Sequence, residues 1–295
     1  MPRKPRLHVP GGLYHVILRG NNRQAIFFED DDRRRWESLI ELGLDKYSHR
    51  IHAYCWMSNH VHMAVQCHER PISDFVRFIA SQYSRATNKK LDRTGHLFER
   101  RHRAILVQTD SYLKELVRYI HLNPLRAGIV DAIDDYPWCG HHAYLNGNPP
   151  PWLTVNWVLS AFAESLVDAR RQYARFLQTE CPASILERLS DGSDEDHRIL
   201  GDDGFIASLE REPIPRKAQR TPLADLARII CEKHDVSVAE LKSPSRERCY
   251  TAVRAEIGLA AVEDEVASTA EVARYFNRSQ SGMSRAISLV RRKSE

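Results

Sequence analysis

His60 and His62 stand one residue apart in Tyr54-Cys55-Trp56-Met57-Ser58-Asn59-His60-Val61-His62-Met63-Ala64-Val65-Gln66. On a β-strand alternate side chains share a face, so both imidazoles point one way and Val61 turns into the core. Two neutral imidazoles on one face can hold one divalent metal ion. The same pattern also suits a half-buried histidine pair with no metal. A second stretch, Tyr112 to Pro124, places Tyr119 and Asn123 four apart, hence on one face of a helix. They flank the apolar stripe of Leu113, Leu116, Val117 and Ile120. A tyrosine so placed either packs beside the core or offers its hydroxyl next to an amide oxygen.

These residues need elements to carry them. Leu13 to Arg19 alternates bulky and β-branched residues and reads as a first strand, broken by Gly20-Asn21-Asn22. Asp30-Asp31-Asp32 can cap a helix over about 33–47, with Trp36, Leu39, Ile40 and Leu44 as its stripe. A strand near 51–57, a Ser58-Asn59 turn and the histidine strand 60–66 follow. Pro71 opens a helix over about 72–88, residues 104–107 form a short strand, and Asp110 caps the tyrosine helix, which Pro124 ends. The order β-α-β-β-α-β is that of an α+β, ferredoxin-like (split βαβ) antiparallel sheet with helices on one face.

Charge is unevenly spread. Residues 1–150 hold 22 Lys/Arg against 16 Asp/Glu, residues 190–212 hold 2 against 8, and residues 213–295 hold 15 against 11. Two basic blocks about an acidic one suit two surfaces for a polyanion, or two solvated faces. Between the second and third helices run Arg77, Arg85, Lys89, Lys90, Arg93, His96, Arg100, Arg101, His102 and Arg103, with Tyr83, Leu97 and Phe98 interleaved. Cations for phosphates with aromatic groups for stacking make a groove for single-stranded or hairpin nucleic acid. His121, two residues past Tyr119, is expected to face away from it at the surface. The six cysteines form no C-x-x-C pair, which fits reduced thiols in the cytoplasm. No apolar run of membrane-spanning length occurs, and no apolar leader core follows the charged start.

Residues 152–177 can form one or two helices, and 181–215, rich in Asp, Gly, Ser and Glu, reads as a partly mobile linker. From Thr221 helical patterns return. Ser268 to Phe276, a break at Asn277-Arg278-Ser279 and a helix from Gln280 form a helix-turn-helix pattern. The expected domains are therefore 1–150, a helical extension and acidic linker over 151–215, and an all-α helix-turn-helix domain over 216–295. A recognition helix there would present Gln280, Ser281, Ser284 and Arg285 to a major groove of double-stranded DNA. A bundle for protein contacts is the other reading.

Three motifs in order carry a family resemblance: Tyr14-His15-Val16 with Arg19-Gly20-Asn21, the Tyr54–His62 run, and Arg118-Tyr119-Ile120-His121-Leu122-Asn123-Pro124-Leu125-Arg126-Ala127-Gly128. Residues about 10–145 resemble a single-tyrosine HUH transposase, most of all the REP-associated tyrosine transposases. The resemblance implies metal ligands at His60, His62 and Asn123, with Mg2+ or Mn2+ as the ion, and Tyr119 as nucleophile. It also implies cleavage of single-stranded DNA beside a hairpin, leaving a 5′-phosphotyrosine and a free 3′-hydroxyl, in a monomer or homodimer at the bacterial nucleoid. Arg19, Arg85, Lys89, Lys90, Arg100, Arg101, His102 and Arg103 are the candidate contacts to that DNA. The C-terminal region is similar to the DNA-binding domain of the replication initiator DnaA. It departs from that family where Ser279-Gln280-Ser281-Gly282 replaces the acidic-histidine-threonine signature, and the chain has no P-loop.

The chemistry agrees with the resemblance. A phenol of pKa near ~10 is a weak nucleophile at neutral pH and needs an aligned phosphate and charge neutralisation, which a Lewis-acid metal supplies. Two rivals stand beside the transposase: a DNA-binding regulator that has lost turnover, and an RNA-binding module on the same sheet. Retention of His60, His62, Tyr119 and Asn123 together speaks against the first. The strands lack the paired aromatics on adjacent central strands that would support the second.

Overall fold

In the computed structural model, residues 7–99, 102–193, 196–211, 222–245, 247–263 and 266–291 are described. The chain divides into two compact units, 1–215 and 216–295. The first unit is built on a five-stranded sheet. Its strands are β1 (Leu13–Arg19), β2 (Arg50–Trp56), β3 (His60–Gln66), β4 (Arg103–Val107) and β5 (Ile199–Leu200), in the order β2-β3-β1-β4-β5. The first four pair antiparallel, and β5 adds parallel to β4. The sheet is therefore mixed, which corrects the purely antiparallel expectation.

Register decides what each face carries. Trp56 pairs with Val61 and Val61 with Leu18, so these three share a face; Cys55, His62 and Ile17 share the other. Helices α1 (Asp30–Tyr47) and α2 (Ile72–Lys90) cover the first face. There Trp36 meets the rings of Trp56 (centroids 6.0 Å apart) and Tyr83 (5.2 Å), and is fully buried. Burying an indole this way stabilises the fold by about 3 kcal/mol. Helix α3 (Thr109–His121) lies on the other face, where Tyr119 meets His15 and His62. The expectation of helices on one face is thus corrected: the histidine face is apolar enough, through Leu13, Ile17 and Ala64, to need its own cover.

Local chemistry explains the boundaries. α1 begins at Asp30, earlier than expected, because Glu29 is its N-cap and Asp32 accepts the backbone N–H groups of Phe28 (2.8 Å) and Glu29 (3.2 Å). α3 stops at His121 and a short helix, α4 (Asn123–Arg126), starts with Pro124 in its first turn, where a missing N–H costs nothing. α5 (His141–Asn146), α6 (Asn156–Ser160) and α7 (Leu166–Leu177) follow. Residues 138–154 run along β2: Trp56 N–H bonds to Trp138 O, Gly140 N–H to Tyr54 O and Thr154 N–H to Ile51 O. They protect what would be an open edge.

Residues 181–215 depart most from expectation. The described part is not a linker: α8 (Ala183–Asp191), β5 and α9 (Asp203–Arg211) pack as part of the first unit. Leu106 N–H bonds to Arg198 O and Gln108 N–H to Leu200 O, both at 2.8 Å. Leu189, Ile199 and Leu200 join the main core.

The second unit holds α10 (Leu223–Lys233), α11 (Val238–Lys242), α12 (Arg248–Glu263), α13 (Thr269–Tyr275) and α14 (Gln280–Arg291) around its own core, including Ile230, Leu241, Ile257, Phe276 and Ile287. Ser268 caps α13 in a capping box with Glu271. α13 and α14 are joined at Phe276–Ser279, with Asn277 in the left-handed region (φ 55). Buried Arg254 ties the turn before α12 by donating to the carbonyls of Leu241 (2.7 Å) and Ser245 (3.1 Å).

Candidate active site

A cleft of about 600 Å³ opens on the histidine face of the first unit, lined by Ile17, Arg19, Arg23, His60, His62, Glu99, His102, Arg103, Tyr119, Asn123, Ser190 and Asp191. His60, His62, Tyr119 and Asn123 therefore converge although they come from β3, α3 and α4. The Tyr119 ring stands edge-on to His15 (centroids 5.4 Å) and His62 (5.7 Å). Arg126 lies over its face at 4.1 Å and donates to the Tyr119 carbonyl at 2.6 Å. The break after Leu122 carries Asn123 into the cleft while Arg126 turns back over Tyr119.

His60 is fixed by its neighbours. Asn59 Nδ2 donates to the Arg23 carbonyl (3.1 Å), which leaves Asn59 Oδ1 to accept from His60 Nδ1 at 2.6 Å. Neutral His60 then keeps its proton on Nδ1 and leaves Nε2 bare. Burial, reinforced by Arg19, pulls the His60 pKa down to about 4, against an opposing contact from Asn123. His62 is held well below the usual imidazole range by burial first, then by His15, His60, Arg126 and Arg19. Both rings are thus neutral near pH 7, the state a metal ligand requires. The Arg-Gly-Asn motif makes the turn beside Asn59 possible: at Gly20 a Cβ would lie 2.0 Å from the Gln24 carbonyl oxygen, so only glycine lets the chain fold back. Gly20 N–H bonds to Asn59 O in the same turn, at 2.8 Å.

The donor set fits a divalent ion of mixed nitrogen and oxygen preference. Among the described residues no group of three His, Cys, Asp or Glu side chains is placed to hold a metal. A metal held by His60 and His62 would therefore take its third donor from another kind of side chain, and Asn123 brings an amide to the same cleft. Asn123 Nδ2 is buried without a hydrogen-bond partner, and the amide contacts the His60 ring, so Asn123 sits beside the histidine pair.

The other expected residues divide. Arg19, His102 and Arg103 line the cleft, and Arg103 pairs with Asp191 at 3.0 Å. Arg85 and Lys89 are exposed on α2, away from the cleft lining, and Arg85 donates to Gln82. Lys90 is bound to Glu29 and to buried Asp32, so it ties α2 to the start of α1. Arg100 and Arg101 lie outside the described residues. Gln280, Ser281, Ser284 and Arg285 are all exposed on α14 of the second unit. His121 faces away from Tyr119 as expected but is fully buried, which corrects its surface role; its Nδ1 donates to Tyr173 Oη at 2.8 Å. Missed at the sequence level were His15, Arg23, Glu99, Ser190 and Asp191. His15 alone gave a signal, as a histidine inside an otherwise apolar strand.

Residues 8–123 match the family model described as transposase IS200 like. A Haemophilus influenzae protein named "Putative REP-associated tyrosine transposase" is 23% identical over 143 residues, 45% of this chain and 81% of that protein. A solved structure of the REP-associated tyrosine transposase bound to a REP hairpin aligns over 52% of this chain and 92% of its own, with 18% identity and a TM-score of 0.45. Among the described residues no helix is long and apolar enough to cross a membrane.

Proposed function

We propose that the first unit is a DNA transposase that cleaves and rejoins single-stranded DNA beside a REP-like hairpin, with Tyr119 as nucleophile. The observation that carries this reading is the convergence of His60, His62, Tyr119 and Asn123 in one cleft. The match of residues 8–123 to the IS200-like family model supports the reaction class, and the name of the Haemophilus relative supports the REP association. His60, His62 and Asn123 would hold Mg2+ or Mn2+, which as a Lewis acid would draw charge from a phosphate oxygen. Manganese suits the two imidazoles better, since magnesium prefers oxygen ligands.

The chain's own residues do the rest. Arg19, His102 and Arg103 bind backbone phosphates along the cleft. Arg126 holds the Tyr119 ring and its carbonyl, so the phenol is aimed before DNA arrives. Tyr119 Oη attacks phosphorus and gives its proton to water. The bond from phosphorus to the 3′ oxygen breaks, and that oxygen takes up a proton to become a 3′-hydroxyl. The 5′ phosphate stays on Tyr119. In rejoining, a 3′-hydroxyl attacks the phosphotyrosine and the phenol leaves with a proton. The phosphodiester energy is kept throughout, so no ATP is needed. In the second unit, exposed Gln280, Ser281, Ser284 and Arg285 on α14 are read as a double-strand DNA surface.

The test is incubation with 5′-labelled and 3′-labelled hairpin oligonucleotides from the sequence flanking the gene, with Mn2+ or EDTA, followed by a denaturing protein gel. A metal-dependent covalent band that keeps the 3′-labelled fragment and vanishes in Tyr119→Phe is the expected result. Tight binding with no adduct would move the chain to the regulator reading.

A further inference from the structure

His15 is fully buried in β1 and joins two elements far apart in sequence. Its Nδ1 lies 2.9 Å from the Leu189 carbonyl oxygen, and its Nε2 lies 2.9 Å from His62 Nδ1. A carbonyl oxygen only accepts, so the proton of His15 is on Nδ1. The ring is fully buried between these two neutral partners, a setting that favours the uncharged imidazole. Nε2 of a neutral ring protonated on Nδ1 can only accept. His62 must then supply the proton from its own Nδ1, and its Nε2 is left as a bare lone pair.

We propose that His15 is a positioning residue: it takes the Leu189 carbonyl on one side and the His62 Nδ1–H on the other, and so holds His62 in the tautomer whose Nε2 can bind a metal. This deepens the reading above and rests on its metal site. The anchor is strong for a reason of its own. Leu189 lies in the last turn of α8, where carbonyls lack partners within the helix and carry the negative end of its dipole. A ligand's outer hydrogen bond sets its ring orientation and its basicity. Here that bond runs to His15, which is itself anchored on Leu189 outside the matched 8–123 segment, so the ring of His62 depends at one remove on a part of the chain beyond that segment.

The first test needs no variant to fold. In protein labelled with 15N at histidine and kept free of metal, long-range proton–nitrogen spectra show which ring nitrogen carries each proton. The His62 signals are assigned by their loss in His62→Ala. The expected proton sits on Nδ1 of His62, and a proton on Nε2 overturns the proposal. Mn2+ binding, followed by electron paramagnetic resonance, is expected to weaken about 10- to 100-fold in His15→Phe. His15→Gln keeps one donor and one acceptor and is expected to restore most of that loss. Equal Mn2+ binding by wild type and His15→Phe also overturns the proposal. An Nδ1 proton on His62 with no Mn2+ binding by the wild type supports the hold on His62 and overturns the metal reading instead.

Discussion

Tyr173→Phe removes one oxygen and should cost far more than a surface change. Tyr173 is fully buried, and its Oη stands 2.8 Å from His121 Nδ1 and 2.9 Å from His141 Nδ1. His141 Nε2 faces Asp134 at 3.1 Å, so it carries the His141 proton; Tyr173 then donates to His141 and accepts from His121. Deleting the hydroxyl orphans a donor and an acceptor at once, each at about 1–3 kcal/mol. Turning the His121 ring offers no escape, because its Nε2 already lies buried without a partner. We expect a loss of about 3 kcal/mol in the unfolding free energy of the first unit. All five tryptophans lie between residues 36 and 157, so tryptophan fluorescence in urea reports that unit alone. A loss below about 1 kcal/mol, with an unchanged urea slope, would refute the network and return His121 to a minor role.

His49 should make the first unit acid-sensitive. Burial first, then His8 and His68, pulls its pKa down to about 4, and its Nδ1 accepts the His68 N–H at 3.1 Å. The unfolded chain therefore takes the proton first: stability is full above about 6.5 and is lost as pH falls from there to about 4. His49→Gln keeps an acceptor but gains no proton, so between pH 7 and 4.5 it should lose about 2 kcal/mol less than wild type, read from urea midpoints. Lys89 and Lys90 should separate in a salt titration of hairpin binding. Lys89→Ala is expected to lower the log-log slope by roughly 0.7, whereas Lys90→Ala, already bound to Glu29 and Asp32, should leave it unchanged.

The legible parts of the fold were those with local causes. The sequence puts the histidine strand at 60–66, and the structure has His60–Gln66, because a short apolar run bounded by a Ser-Asn turn admits little else. The sequence puts Tyr119 and Asn123 on one helical face, yet Asn123 opens a new helix; Pro124 has no N–H to give the Ile120 carbonyl, so the ladder breaks there. In the sequence His15 belongs to a strand and to a family motif but carries no role of its own, since its meaning lies in Leu189, 174 residues away. Residues 190–212 carry so much charge that a two-residue strand inside them left no period to detect. Lys90 looked like its neighbours in the basic run, and only the buried carboxylate of Asp32 sets it apart.

The late strand β5 also bears on when the protein becomes competent during synthesis. Asn123 emerges well before Leu200, and at about 5–20 residues per second the interval is roughly 4–15 s. For that time the nascent chain holds every candidate ligand and Tyr119 but lacks the α8 carbonyl and the fifth strand. The proposed active site, still tethered to its own messenger, would therefore stay incomplete until most of the first unit has left the ribosome.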